Sequence, residues 1–291
     1  MKPEITIFTP TYNRAYLLPN LYKSLVNQTD KNFEWIVVDD GSEDETESLI
    51  LKFQSENRIP IKYFKQENKG KHKAQNFGVQ FADSDYFLCI DSDDFLSENC
   101  VEHCKKVISE INDQKEYAGF TFIHATIPKE KNTKDLKKSE SSIPKKYSSD
   151  ATSELIFCYR TEIVKKFPYP EFEGEKFIQE SIVYNRIRKH QYKILSTNLV
   201  LAFGDYWEDG LSFQLYNLML KNPRGAMLRL KERMEEPQQS RVQRKKYAEM
   251  YWDIALKSKH ISWKEKLSGL SFYWTLKVLT RKFFKKIFSN F

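Results

Sequence analysis

Read along the chain, the apolar residues fall into two spacings. Short runs at 5–9, 33–38, 61–65 and 86–90 have the β-branched and aromatic content of buried strands. Between them the apolar positions recur at helical spacing. Leu17, Leu18, Leu21 and Leu25 mark one amphipathic helix, with Pro19 tolerated in its first turn, and further helices are predicted at about 43–54 and 73–81. Pro10 is expected to end the first strand. Strand and helix thus alternate through the first hundred residues. That alternation predicts an α/β fold with a mostly parallel central sheet flanked by helices. A helix over 98–111 and a strand over 117–127 follow. The stretch 129–146 is charged and poor in apolar residues, which predicts a surface loop. Ile178, Ile182 and Ile187 mark the inner side of another helix, and from Ser212 onward the spacing is helical, as in an appendage.

Two of the predicted strands run directly into carboxylates. The run at 33–38 is followed by Asp39, Asp40, Gly41 and Ser42, and the run at 86–90 by Asp91, Ser92, Asp93 and Asp94. Carboxylates so placed repel one another unless a cation sits among them. An Asp-x-Asp at the mouth of a parallel strand offers hard oxygen ligands of the kind Mg²⁺ or Mn²⁺ takes. The carboxyl ends of the strands are also where open α/β sheets bind ligands. The alternative is a solvated acidic turn with Asp94 or Ser97 capping the next helix.

Composition narrows the class. With 291 residues, 40% of them hydrophobic, the chain has material for a real core. Its four cysteines, Cys89, Cys100, Cys104 and Cys158, suit reduced thiols in a cytoplasmic protein. Cys100 and Cys104 are read as packing residues of a helix rather than metal ligands. A strand is expected almost at once after the first residue, leaving no room for a targeting segment, and no stretch reaches the about twenty apolar residues of a spanning helix. The net charge of +7 is concentrated at the end, where Lys264, Lys266, Lys277, Arg281, Lys282, Lys285 and Lys286 face Glu265 alone. Trp263, Phe272, Tyr273, Trp274, Phe283, Phe284, Ile287 and Phe288 are interleaved with them. Basic and aromatic residues in that pattern describe a helix lying on an anionic membrane surface. Packing on the protein's own core is the other reading. No nucleic-acid fold signature accompanies the charge, so no nucleic-acid partner is expected.

The segments TPTYNR, VVDDGSED, NKGKHKAQNFG and IDSDD, in this order and spacing, resemble the nucleotide-sugar domain of family 2 glycosyltransferases, inverting enzymes of the GT-A fold. The resemblance covers about the first hundred residues. It implies a nucleotide-sugar donor such as a UDP-sugar, with Mn²⁺ or Mg²⁺ as cofactor. It places Pro10, Tyr12 and Arg14 beside the nucleotide, Asp40 on the uracil edge, and Lys69 and Lys71 near base or phosphate. Asp91 falls on ribose, with Ser92 also on the donor, and Asp93 on the metal. Asp94 is a further acidic candidate, and Asn76 either touches donor or supports its loop. Asp39 is expected to brace a turn. Residues 1–212 would form the GT-A domain, with a donor half at 1–100 and an acceptor half at 101–212, and 213–291 a helical C-terminal region.

Inverting transfer needs a carboxylate to take the proton of the attacking hydroxyl. Related enzymes carry it in a Glu-Asp pair at the start of a helix, where this chain reads Glu180-Ser181. Glu180 is therefore the candidate base, with Glu175 and Glu173 behind it. Asp205, Glu208 and Asp209 lie in a segment similar to one that closes over the site in this family. They are candidates for metal or acceptor contact, or for a simple turn. Many relatives have a metal-binding histidine there, and this chain has none. The resemblance implies an enzyme on the inner face of the cell membrane acting on a lipid-linked or polysaccharide acceptor in surface-polysaccharide assembly. The remaining readings are a nucleotidyltransferase and a non-catalytic sugar-nucleotide-binding protein.

Overall fold

The first apolar run forms β1 (Ile5–Thr11), all seven of whose residues are buried. The structure, a computed structural model, describes residues 2–126, 154–204 and 214–288. After β1 come α1 (Leu18–Val26), β2 (Phe33–Asp39), α2 (Thr46–Ser55), β3 (Ile61–Lys65), α3 (Lys71–Gly78) and β4 (Tyr86–Cys89). α1 buries Leu18, Leu21, Tyr22 and Leu25, the face its spacing predicts, with Pro19 in the first turn. β1 lies between β2 and β4, parallel to both, and β2 pairs in parallel with β3. The strand continues through Pro10, against expectation. Pairing with β4 ends at Phe8 opposite Cys89, so a residue lacking an N–H costs no ladder bond on that side.

The chain continues through β5 (Asp94–Leu96), α4 (Cys100–Ile111), β6 (Tyr117–Thr126), β7 (Glu154–Arg160), α5 (Thr161–Lys166), α6 (Ser181–Lys189) and β8 (Lys193–Gly204). All the strands join one sheet in the order β3-β2-β1-β4-β7-β6-β8-β5. The first four are parallel. Beyond β4 the sheet is mixed, with β4–β7, β6–β7 and β5–β8 antiparallel and β6–β8 parallel. Asp94 opens a strand, not a helix. Cys100 and Cys104 are buried packing residues of α4, and all four cysteines are free thiols.

The chain divides into two compact units: Met1–Pro168 with His190–Glu208, which holds the sheet, and Tyr169–Lys189 with Asp209–Phe291. The second unit differs from the linear division expected at residue 212, because Tyr169–Lys189 associates with the C-terminal helices. Those helices are α7 (Leu215–Lys221), α8 (Pro223–Glu235), α9 (Arg241–Lys257), α10 (Trp263–Ser268) and α11 (Phe272–Phe288). Met227, Leu230, Met234, Tyr251, Trp252, Ile254, Leu270 and Val278 form their own apolar core. A reciprocal Ser240–Gln243 capping box starts α9. The start of α8 is capped from outside, since the Glu175 carboxylate accepts from the backbone N–H groups of Arg224 (2.7 Å) and Gly225 (2.9 Å).

On the back of the parallel strands, α3 comes so close that a Cβ on Gly78 would lie 2.4 Å from the Phe8 ring. Ala is favoured over Gly in a helix by about 1 kcal/mol, whereas overpacking a core costs roughly 1–3 kcal/mol. Contact at this distance makes the second effect the larger. Gly78→Ala should therefore lower the denaturation midpoint in urea; an unchanged or raised midpoint would show that Phe8 yields freely.

Candidate active site

The parallel strands deliver their carboxyl ends to one edge, and the loops leaving that edge are tied together. After β1, Asn13 takes a left-handed conformation (φ 52°), which asparagine tolerates. Its N–H donates to Ser42 Oγ (2.8 Å), and its Oδ1 accepts from the Glu43 N–H (2.8 Å). The Ala15 N–H donates to Asp44 (3.0 Å), and Arg14 donates to the Tyr16 hydroxyl (2.7 Å). The loop carrying Tyr12 and Arg14 is thus held by the loop after β2. Tyr12 itself is 44% exposed, whereas Pro10 is buried in β1.

Asp39 braces its turn, accepting from the Ser42 N–H (2.7 Å) and the Tyr63 hydroxyl (2.9 Å). Asp40 does similar work for the basic turn. It accepts from Gln66 Nε2 (2.7 Å), the Lys69 N–H (2.8 Å) and the Gly70 N–H (2.7 Å). Three of a carboxylate's roughly four acceptor positions are engaged. The backbone of Lys69 is therefore fixed while its ammonium remains largely exposed. Gly41, between the two loops, has φ +86°, and a Cβ there would meet the Asn68 N–H at 2.8 Å.

At the exit of β4, oxygen atoms of Asp91, Asp93 and Asp94 lie within 4.8 Å of one another. Burial, with the Asp91 charge next in weight, raises the Asp93 pKa, against which Lys71 and Arg14 act. Asp94 is pushed up to about 6, chiefly by burial, although its bond to His124 opposes the shift. Lys71 at the start of α3 clasps Asp91 at 2.6 Å. On the other side, His124 Nε2 from β6 meets Asp94 Oδ1 at 2.8 Å. That pair fits because β5 aligns Asp94 with Gly204 of β8, where a Cβ would stand 2.1 Å from the Asp94 oxygen.

Three hard oxygen donors at this separation suit one small divalent cation, and the upward shifts of Asp93 and Asp94, set first by burial and then by neighbouring carboxylate charge, are ones that such a cation would relieve. Asp93 and its two neighbours fit the expected metal. Ser92 is buried between them, and Asn76 lies partly buried on α3. Glu180 belongs to the second unit, exposed immediately before α6, and Glu173 is also exposed. Glu175 is corrected as a candidate base, because its carboxylate is occupied in capping α8. Asp205, Glu208, Asp209 and the loop at 129–146 lie outside the described residues. Sequence reading missed His124, a lone histidine in a strand whose partner is thirty residues away. A polar residue near the end of an otherwise apolar run was the one available signal.

The raised Asp94 carboxyl gives a pH signature. Folded, it holds its proton more tightly than the unfolded chain, whose value is near 3.8. Between about pH 4 and 6 this carboxyl therefore carries an extra proton in the native state, and its own contribution to stability declines as pH rises. Asp94→Asn should remove this decline in metal-free protein, so its melting temperature should gain on the parent's from pH 4 to 7. A constant difference across that range would contradict the shift.

Residues 6–167 match the family described as Glycosyl transferase family 2. Over 107 residues, 37% of this chain and 15% of the relative, the sequence is 37% identical to glycosyltransferase GlyA of Streptococcus pneumoniae. The first curated relatives, from Rickettsia, are likewise matched over only 18%, 37% and 19% of their own length. Among solved structures, Staphylococcus aureus TarS 1–349 in complex with UDP-GlcNAc superposes with a TM-score of 0.57 at 17% identity, covering 95% of this chain and 79% of that one. The mannosyltransferase PcManGT of Pyrobaculum calidifontis, in complex with GDP-Man and Mn²⁺, gives 0.58 at 12% identity, covering 97% and 80%. At such identities the structural likeness speaks to fold, and the fold is theirs. With over half its length matching the family directly, and with the acidic strand exits that its motifs describe, the chain belongs to glycosyl transferase family 2.

Proposed function

We propose that this protein transfers a sugar, with inversion, from a nucleotide-sugar donor to a hydroxyl of a lipid-linked or polysaccharide acceptor. The observation that carries the reading is the cluster of Asp91, Asp93 and Asp94 at the mouth of β4. Asp93, with Asp91 and Asp94 beside it, would hold Mn²⁺ or Mg²⁺, which when bound neutralises charge on the departing diphosphate. Tyr12 offers a face for the base, and Asp40 keeps the turn at Lys69 and Lys71 in position for base or phosphate. Lys71, now on Asp91, can exchange that carboxylate for a donor phosphate while Asp91 turns to ribose. In the transfer, the bond from the anomeric carbon to the diphosphate oxygen breaks and a bond to the acceptor oxygen forms on the opposite face. The hydroxyl proton passes to the Glu180 carboxylate and the nucleoside diphosphate leaves. GlcNAc-type and mannose-type donors are both compatible, since the neighbouring folds bind UDP-GlcNAc and GDP-Man respectively.

The C-terminal helices support action at an anionic membrane face. Among the described residues no helix is long and apolar enough to cross a membrane. Within α11, Val278 is buried against the second unit's core, so own-core packing accounts for one side. Phe272 (79% exposed), Tyr273 and Leu276 stay in solvent, as does Trp263 of α10, with Lys277 over the Tyr273 ring. Exposed aromatic residues with lysines around them suit lipid headgroups.

A thermal-stability screen of UDP- and GDP-sugars with Mn²⁺ should identify one stabilising donor, because a ligand bound to the folded state alone raises the melting temperature. Asp93→Asn should keep the fold yet lower transfer by on the order of 10²-fold or more; near-normal turnover would overturn the metal assignment. Replacing the exposed Phe272 and Leu276 by serine, which leaves the buried Leu270 and Val278 in place, should weaken sedimentation with anionic vesicles, and lower salt should strengthen the binding that remains. Equal sedimentation of the two forms would remove the membrane role and leave the transferase reading intact.

A further inference from the structure

Where α6 packs on α8, within the second unit, three arginines pair with two glutamates and a fourth lies beside them. Arg186 forks onto Glu232 (2.6 and 3.1 Å). Glu236, itself buried, takes both Arg188 (2.5 Å) and Arg233 (3.0 Å). Arg229 is left with a hydroxyl. Its Nε donates to Ser181 Oγ at 2.8 Å, and among the described residues no carboxylate pairs with it. The side chain is partly buried, and burial together with the Arg233 charge pushes its pKa below the usual arginine range.

A guanidinium has five N–H donors, and this one spends a single donor on a neutral oxygen. Its terminal nitrogens form a planar fork of the kind that binds carboxylate or phosphate oxygens in pairs. The serine hydroxyl, having accepted from Nε, keeps its own proton to donate. Ser181 also opens α6, whose N-terminal end carries partial positive charge. Among the described residues the carboxylate charge that acts on it is that of Glu236, already paired with Arg188 and Arg233, so a guanidinium taken partly out of water is left with donors for an anion from outside the protein.

We propose that Arg229 and the Ser181 hydroxyl form an oxyanion site, and that its ligand is a phosphate or carboxylate group on the acceptor. The second half rests on the proposed transfer reaction. Ser181 is the peptide neighbour of Glu180, so the molecule whose hydroxyl Glu180 serves is the one to bring the anion. The first half stands on the charge count alone.

The test uses the full chain and two probes, inorganic phosphate and acetate, each titrated at constant ionic strength by calorimetry and thermal shift. The parent should bind at least one saturably, and the stronger of the two names the anion class. Arg229→Gln should weaken that binding at least tenfold. Ser181→Asp keeps the arginine and supplies the missing carboxylate from within. It should raise the melting temperature in anion-free buffer and abolish the response to the probe. No saturable binding by the parent, or parent-like binding by Ser181→Asp, would overturn the site. A UDP titration with Mn²⁺ separates the sources. Unchanged UDP affinity in Arg229→Gln is expected for an acceptor group, and a matching loss would give the anion to the donor and end the acceptor assignment. Saturable phosphate binding in a protein that transfers no sugar would retain the oxyanion site while refuting the reaction.

Discussion

Three carboxylates are held with oxygens inside 4.8 Å at the end of one strand, and the elements around them must restrain that crowding. Two unit charges 4 Å apart repel by roughly 4 kcal/mol at an effective dielectric of about 20, a large fraction of what keeps a domain folded. Left to themselves the groups would swing apart or take up protons. They do neither freely, because β4 is paired on both sides, the Asp94 backbone is fixed by β5 against β8, and Lys71, Arg14 and His124 each return some positive charge. The sheet holds the cost in place, and the incomplete neutralisation is what makes the cluster useful to a cation.

The same logic separates what was legible in the sequence from what was not. β1, β2 and β4 were readable because buried strands are written as largely apolar runs, and the exits of β2 and β4 stood out because acids follow those two runs directly. β5 was not readable, since three residues beginning with Asp94 carry no period. β8 was missed for another reason: its pairing with β6 slips register three times, and its polar residues Ser196, Thr197 and Asn198 interrupt any alternation. Pairings made across the sheet, not local propensity, give both strands their form.

Site residues divide along the same line. Asp39, Asp40, Asp91 and Asp93 were visible because each sits within a few positions of a strand end. His124 was not, for its meaning lies in Asp94 and in the bare Cα of Gly204, and neither is near it in the chain. Glu175 and Glu180 show the reverse hazard. They are five apart in one turn-rich segment and equivalent on paper, yet Glu175 is buried and locked onto the first amides of α8, whereas Glu180 lies at the surface before α6. Sequence names the residue type, and the neighbours decide whether its charge is available.

Availability of charge also distinguishes the two units. The first concentrates carboxylates beyond what its own cations neutralise; the second concentrates arginines beyond what Glu232 and Glu236 balance. A fold selected for stability alone would pair them, because truncating one partner of a buried pair leaves a costly orphan charge whereas an apolar replacement often costs nothing. Retaining an unbalanced carboxylate cluster and an unbalanced guanidinium is therefore economical only if mobile ions complete them. Under the proposed transfer, a cation at the carboxylate cluster and an anion at Arg229 would be the two missing counterions.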